Sequence, residues 1–178
     1  GLSTGPAMEH LPIFLKLKGR TVLVVGGGDL AARRVDLLSR AGAIVTVVAG
    51  ELCEDLERMV ARGLAEHRSE AVSVDRLRDC ALAFGAAEDA AENVELHRLA
   101  AQAGIPVNVV DRIDLSSFFM PAVVDRSPLV VAVSSGGKAP IIVRILKAQL
   151  ERLIPASCGV FAAFAGGWRE RVAGRLED

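Results

Sequence analysis

The chain has 178 residues, half of them apolar, enough to bury one substantial core with a smaller appendage. Its 21 Lys and Arg against 22 Asp and Glu leave a net charge of −1, which argues against a nucleic-acid partner, and its apolar runs are too short to span a bilayer. Three scattered cysteines without a CxxC and three histidines without ligand spacing argue against a disulfide framework or a metal site, so the expectation is a soluble cytoplasmic protein with buried thiols and no metal-ligating residues.

Gly1 to Ala7 reads as a vector-derived leader ahead of Met8 and is set aside. Glu9 to Leu17 is an apolar lead-in expected to pack beside the first strand. Thr21 to Ala43 then reads as strand, tight turn and helix, with Gly26-x-Gly28-x-x-Ala31 matching the dinucleotide fingerprint. In that pattern the first glycine allows the turn, the second admits a pyrophosphate close to the backbone, and the small third residue lets helix pack on strand. A helix starting near Asp29 aims its free amides at the phosphates.

By itself this glycine pattern is a weak signal; its surroundings strengthen it. Ile44 to Ala49 lies where the second strand of a βαβ unit belongs, and Glu51 comes slightly late for a ribose ligand, which leaves the backbone around Gly50 as the alternative contact. No Arg or Lys falls between Val45 and Leu56 to receive a 2′-phosphate, so NAD is favoured over NADP as cofactor. Glu54 to Arg62 has helical spacing, Leu64 to Arg68 is a short strand candidate, and Val74 to Arg78 a brief helix. Cys80 to Ala86 reads as a buried strand, Ala87-Glu88-Asp89 as an acidic turn, and Glu92 to Ala103 as a helix stopped by Gly104. Ile105 to Val110 supplies a further strand.

This alternation predicts a parallel sheet covered on both faces, whose ligands bind beyond the carboxyl ends of the strands. Gly26, Gly27, Gly28, Gly50, Ala86, Ala87 and Asp111 all fall at those ends. From Asp111 the texture changes. Ser117 to Val124 and Pro128 to Ser134 suggest a hairpin around Asp125-Arg126-Ser127-Pro128, and Pro140 opens a helix that runs to Leu153. Pro155 breaks it, and Val160 to Leu176 is a last helical stretch interrupted by Gly166-Gly167. A hairpin and long helix in this position suit a dimer interface.

Asn108-Val109-Val110-Asp111, Ser117-Phe118-Phe119-Met120-Pro121-Ala122, and the run from Asp125-Arg126-Ser127-Pro128 to Ser134-Ser135-Gly136-Gly137 carry a specific resemblance. With His10-Leu11-Pro12-Ile13-Phe14 and Val25-Gly26-Gly27-Gly28, they make the chain closely similar to the precorrin-2 dehydrogenase/sirohydrochlorin ferrochelatase family, found alone or as the amino-terminal module of siroheme synthase. The likeness extends to about Arg171. It implies an α/β fold: a Rossmann-like parallel sheet over residues 8–112, a small α+β dimerisation region over 113–153, and a helical tail over 154–178, expected to be incomplete. Without a methyltransferase domain, the chain is expected to be either a short stand-alone member or a truncated one.

The activity implied is oxidation of precorrin-2 by NAD to sirohydrochlorin, followed by insertion of ferrous iron, in a homodimer. The resemblance assigns catalysis to Asp111 and cofactor contacts to Gly26, Gly27, Gly28, Asp29, Leu30, Gly50 and Glu51; the strand-end position adds Ala86 and Ala87. Hydride loss must be matched by proton loss, so a strand-end carboxylate serves as general base. On its own such an Asp reads more readily as a turn residue, and the surrounding motif is what favours catalysis. A polycarboxylate tetrapyrrole needs cations, for which Arg112, Arg126, Lys138 and Arg144 are candidates, although each alone reads as a solvated charge. Ser135 is the expected pocket-lining hydroxyl; ending a strand is its other role. Two departures stand out: Ala86-Ala87-Glu88 where the family often has Ala-Thr-Asp, and Gly137-Lys138-Ala139-Pro140 where it has Gly-Gly-Thr-Ser-Pro. The alternatives are a dehydrogenase without chelatase activity, a non-catalytic NAD and tetrapyrrole carrier, and a plain structural domain.

Overall fold

A computed structural model describes residues 9–176, with side chains as far as Trp168. The leader at 1–7 and Met8, which opens the expected first domain, lie outside the described residues, as do the last two positions of the tail. The chain forms two compact units, one from Leu11 to Phe119 and the other from Met120 onward together with Glu9 and His10.

In the first unit, β1 (Thr21–Val25), β2 (Ile44–Val48), β3 (Glu66–Arg68), β4 (Leu82–Gly85) and β5 (Val107–Val109) form one parallel sheet in the order β3-β2-β1-β4-β5. β1 sits at its centre. Its sequence TVLVV is apolar at nearly every position rather than at alternate ones because helices cover both faces of the sheet. α1 (Asp29–Arg40) buries Ala31, Val35 and Leu38, four and three residues apart, as one helical stripe. α2 (Glu54–Ala61) buries Leu56. Leu77 of α3 (Val74–Arg78) joins Leu96, Leu99 and Ala100 of α4 (Ala90–Ala103) in a cluster against Leu23, Ala83 and Val107.

α4 begins two residues before Glu92 because the Asp89 carboxylate accepts the Ala91 amide at 2.8 Å, capping the helix. It stops at Gly104, whose φ of 72° places it in the left-handed region, and the Ile105 amide folds back onto the Ala100 carbonyl at 3.1 Å. That bond takes Ile105 out of the strand predicted from it, so β5 starts only at Val107.

Two expectations are corrected. The lead-in does not pack beside β1: Leu11, Ile13 and Phe14 are 77%, 70% and 75% exposed. β1 is bonded on one side to β2 and on the other to β4, so no flank is open. Residues 113–119 stay with the first unit, which therefore continues past the expected edge at 112. Ser117 donates its amide to Val107 at 2.8 Å and accepts the Val107 amide on its hydroxyl at 2.9 Å, and the Ser116 hydroxyl accepts the Val109 amide at 2.9 Å. Two serines thereby satisfy the outer edge of β5 where a sixth strand would otherwise pair. The run expected to be strand from Ser117 becomes one only at Ala122.

In the second unit, β6 (Ala122–Arg126) and β7 (Leu129–Val133) pair antiparallel around a cis Ser127-Pro128 bond. α5 (Pro140–Leu153) starts with its proline in the first turn, where the missing amide goes unneeded. α6 (Ala156–Leu176) begins four residues ahead of the predicted Val160, immediately after Pro155, and runs through Gly166-Gly167 unbroken. Gly159 is what lets α6 approach the hairpin: a Cβ there would lie 2.3 Å from the Arg126 carbonyl oxygen.

Candidate functional site

The carboxyl ends of β1, β2, β4 and β5 carry the first unit's candidate residues. At the end of β1, Gly26 has a φ of 125°, and a Cβ on it would meet the Ala86 carbonyl oxygen at 2.4 Å. A Cβ on Gly27 would lie 1.8 Å from the Glu51 carbonyl oxygen, and the Gly27 carbonyl accepts the Cys53 amide at 2.7 Å. The glycine turn is therefore clamped between the loop after β2 and the turn after β4, which admits backbone only. Gly28 precedes α1 and gives it no side-chain cap. The amides of Asp29 and Leu30 find no acceptor among the described residues, so the positive end of α1 is open to an anion.

The turn after β4 is fixed by a residue that escaped the sequence reading. Asn93, nearly buried on α4, donates its side-chain amide to the Ala87 carbonyl at 2.8 Å and accepts the Ala87 amide at 3.2 Å. This clasp holds Ala86 and Ala87, and so the wall that Gly26 abuts. In sequence Asn93 looked like one more helical polar residue. The Glu88 carboxylate reaches to 3.6 Å from where a Gly28 Cβ would stand, bringing a negative charge near the α1 terminus.

At the end of β2, Gly50 is open and Glu51 exposed; both line a shallow depression of about 590 Å³ with Glu57, Val60 and His67. His67 is tied to the Ala49 carbonyl at 2.9 Å. Parallel pairing also sets Arg68 of β3 beside Val48, so a cation does stand next to the end of β2, although its guanidinium is paired with Glu66. Arg68 lies outside the interval from Val45 to Leu56 and reaches the end of β2 only through this pairing.

Asp111 occupies a turn closed by the Arg112 amide on the Val109 carbonyl at 3.2 Å. Its φ is 58°, and it is the one described non-glycine residue in the left-handed region. That region disfavours a side chain, and the short polar Asp tolerates it better than most. The turn is held from behind: the Ser116 hydroxyl donates to the Arg112 carbonyl at 2.7 Å, and Asn108 donates to the Phe118 carbonyl at 2.9 Å. Asp111 itself is exposed. It lies two strands from the glycine turn, about 10 Å across the sheet.

Of the cations, Arg112 forms a two-bond pair with Asp114, at 2.8 and 2.7 Å, that keeps its guanidinium above the usual range. In the second unit, Arg126 donates to the Ile154 carbonyl at 2.8 Å and the Glu151 carbonyl at 3.3 Å, which ties it to the end of α5. Lys138 is exposed and pairs with Glu9 at 2.7 Å, which pulls the Glu9 carboxyl below its usual range. The Ser135 hydroxyl accepts the Ala139 amide at 2.9 Å just ahead of α5, and Arg144 is exposed on α5. Among the described residues no group of three or more His, Cys, Asp and Glu side chains is placed to hold a metal ion, and no helix is long and apolar enough to cross a membrane.

An NAD(P)-binding family model matches residues 13–122. The chain is 49% identical over 169 residues to the siroheme synthase of Methylobacillus flagellatus and 47% identical over 175 residues to that of Nitrosospira multiformis. These alignments cover 95% and 96% of this chain but 36% and 37% of the relatives, so the chain spans about a third of their length. Among solved structures it resembles SirC, a precorrin-2 dehydrogenase, with a TM-score of 0.70 at 28% identity, over 87% of this chain and 76% of that one.

Proposed function

We propose that this chain, which belongs to an NAD(P)-binding family and resembles siroheme synthases and SirC, oxidises precorrin-2 to sirohydrochlorin with NAD and that Asp111 is the base. The observation that carries this reading is the left-handed backbone of Asp111 at the end of β5. A conformation that costs about 1 kcal/mol is kept where the sheet presents its ligand face, and it aims a carboxylate out of the turn. The glycine turn fits a dinucleotide on its own evidence: two positions where a Cβ would strike carbonyl oxygens, and an uncapped helix start.

Gly26, Gly27 and Gly28 with the amides of Asp29 and Leu30 would hold the pyrophosphate, with Ala86 and Ala87 forming one wall. Glu51 and the Gly50 backbone would serve the ribose. NAD, when bound, accepts the hydride that leaves the macrocycle. Asp111 removes the accompanying proton, and being exposed it passes that proton to solvent. The same carboxylate is suited to assist ferrous iron insertion, during which pyrrole N–H protons leave as iron enters as a substrate. Ser135, Lys138 and Arg144 remain the second unit's candidates for the substrate's carboxylates, and Arg112 the first unit's. Exposed pairs such as Arg112 with Asp114 are held weakly and exchange readily for a ligand anion.

We read the protein as a cytosolic homodimer. Its three thiols are all free, which suits a reducing compartment. In the second unit, Ile141, Ile142 and Ile145 of α5 and Phe161, Phe164 and Trp168 of α6 stand exposed, an apolar surface of the kind subunits cover. An anaerobic assay with precorrin-2 and NAD, followed by ferrous iron, tests the activity. Formation of sirohydrochlorin and then of siroheme faster than without protein supports both steps. Oxidation alone restricts the protein to the dehydrogenase, and neither step leaves a binding module.

A further inference from the structure

Arg34 lies on α1, in the turn after the one whose amides face the cofactor, and none of the roles above uses it. Its guanidinium sits 5.6 Å from the centre of the Phe84 ring. Phe84 is fully buried in β4 and meets Phe118 edge-on at 5.5 Å, so the platform is fixed. A guanidinium laid over a ring keeps its in-plane N–H donors available. Arg34 makes no hydrogen bond or ion pair among the described residues, whereas the more exposed Arg40, Arg58 and Arg98 each hold a carboxylate. Burial draws Arg34 below the ordinary guanidinium range, and the Asp111 carboxylate is the charge that opposes this.

A half-buried cation with no hydrogen bond or ion pair among the described residues, set on a rigid ring in the strand beside β5, is a prepared anion site. We infer that Arg34 anchors a carboxylate of the substrate beside Asp111, a role that rests on the tetrapyrrole reading above. A dinucleotide phosphate has the same chemistry. Yet the Phe84 ring beneath it, on β4, places the guanidinium on the opposite side of β1 from β2, where the proposed ribose contacts lie. The open amides at the start of α1 already serve the phosphates.

The test compares the unsubstituted chain with Arg34→Gln and Arg34→Lys in two titrations, one with sirohydrochlorin followed by absorbance and one with NAD. Loss of a charge-assisted pair predicts sirohydrochlorin binding weakened roughly 10- to 100-fold in Arg34→Gln. NAD affinity stays within about twofold, which also reports an intact fold, and Arg34→Lys recovers part of the loss because it restores the charge without the fork. In turnover, KM for precorrin-2 rises while kcat is largely kept. Unchanged sirohydrochlorin binding in Arg34→Gln overturns the assignment, and so does a selective loss of NAD affinity, which gives the residue to a phosphate. If the unsubstituted chain neither binds sirohydrochlorin nor oxidises precorrin-2, the tetrapyrrole reading itself has failed. If it does both and Arg34→Gln matches it, only the role of Arg34 is lost.

Discussion

Two turns at the same edge of the sheet are built in opposite ways. After β1 the chain places three residues without side chains, and at the first two, Gly26 and Gly27, neighbouring carbonyl oxygens occupy the space a Cβ would need. After β5 it places a carboxylate in the left-handed region, where glycine or asparagine is the easier choice. The first turn works through its backbone and through what is missing from it. The second keeps a side chain despite the backbone. A binding surface for a dinucleotide needs amides and close approach, whereas a proton acceptor needs a titratable group, so under the proposed function the contrast divides cofactor binding from chemistry.

Substitutions that change one turn and spare the other sharpen this contrast, and thermal unfolding puts them on one scale. Gly27→Ala drives a Cβ into the Glu51 carbonyl oxygen and is expected to cost about 2–3 kcal/mol, with NAD binding lost in a titration of the folded fraction. Asn93→Ala removes both bonds to Ala87 and is expected to cost about 1–2 kcal/mol and weaken NAD several-fold, since the wall against Gly26 loosens. Asp111→Gly relieves the left-handed backbone but frees the unfolded chain, so its stability should change by no more than about 1 kcal/mol. Gly50→Ala is the control. No atom lies within 4 Å of its Cβ position and its φ is not left-handed, so the change should stay within about 0.5 kcal/mol. A Gly50→Ala variant as damaged as Gly27→Ala would break the account of the cradle.

The strand-turn-helix at Thr21–Arg40 was legible because β-branched runs, glycines and helical periods are local signals, and the parallel sheet followed from their alternation. The role proposed for Asp111 rests on the motif around it; its left-handed backbone is not visible in sequence, because Ser116 and the bond from Arg112 to Val109 set it. What was missed depends on distant partners. Ser116 and Ser117 read as loop or strand residues until they are seen covering β5, and Arg34 reads as a solvated charge until Phe84 is placed beneath it. Arg68 reaches the end of β2 only through strand pairing. The tie of Arg126 to the end of α5 is hidden for the same reason, since the carbonyls that take its donors lie 25 and 28 residues away.

The most direct test of the division between the turns uses Asp111→Asn, which preserves size and tolerates the same backbone. NAD affinity and anaerobic precorrin-2 turnover are measured on one preparation beside the unsubstituted chain. The account predicts NAD binding within about twofold and turnover reduced roughly 100-fold or more. Turnover that survives the substitution, or NAD affinity that falls in step with it, would contradict it.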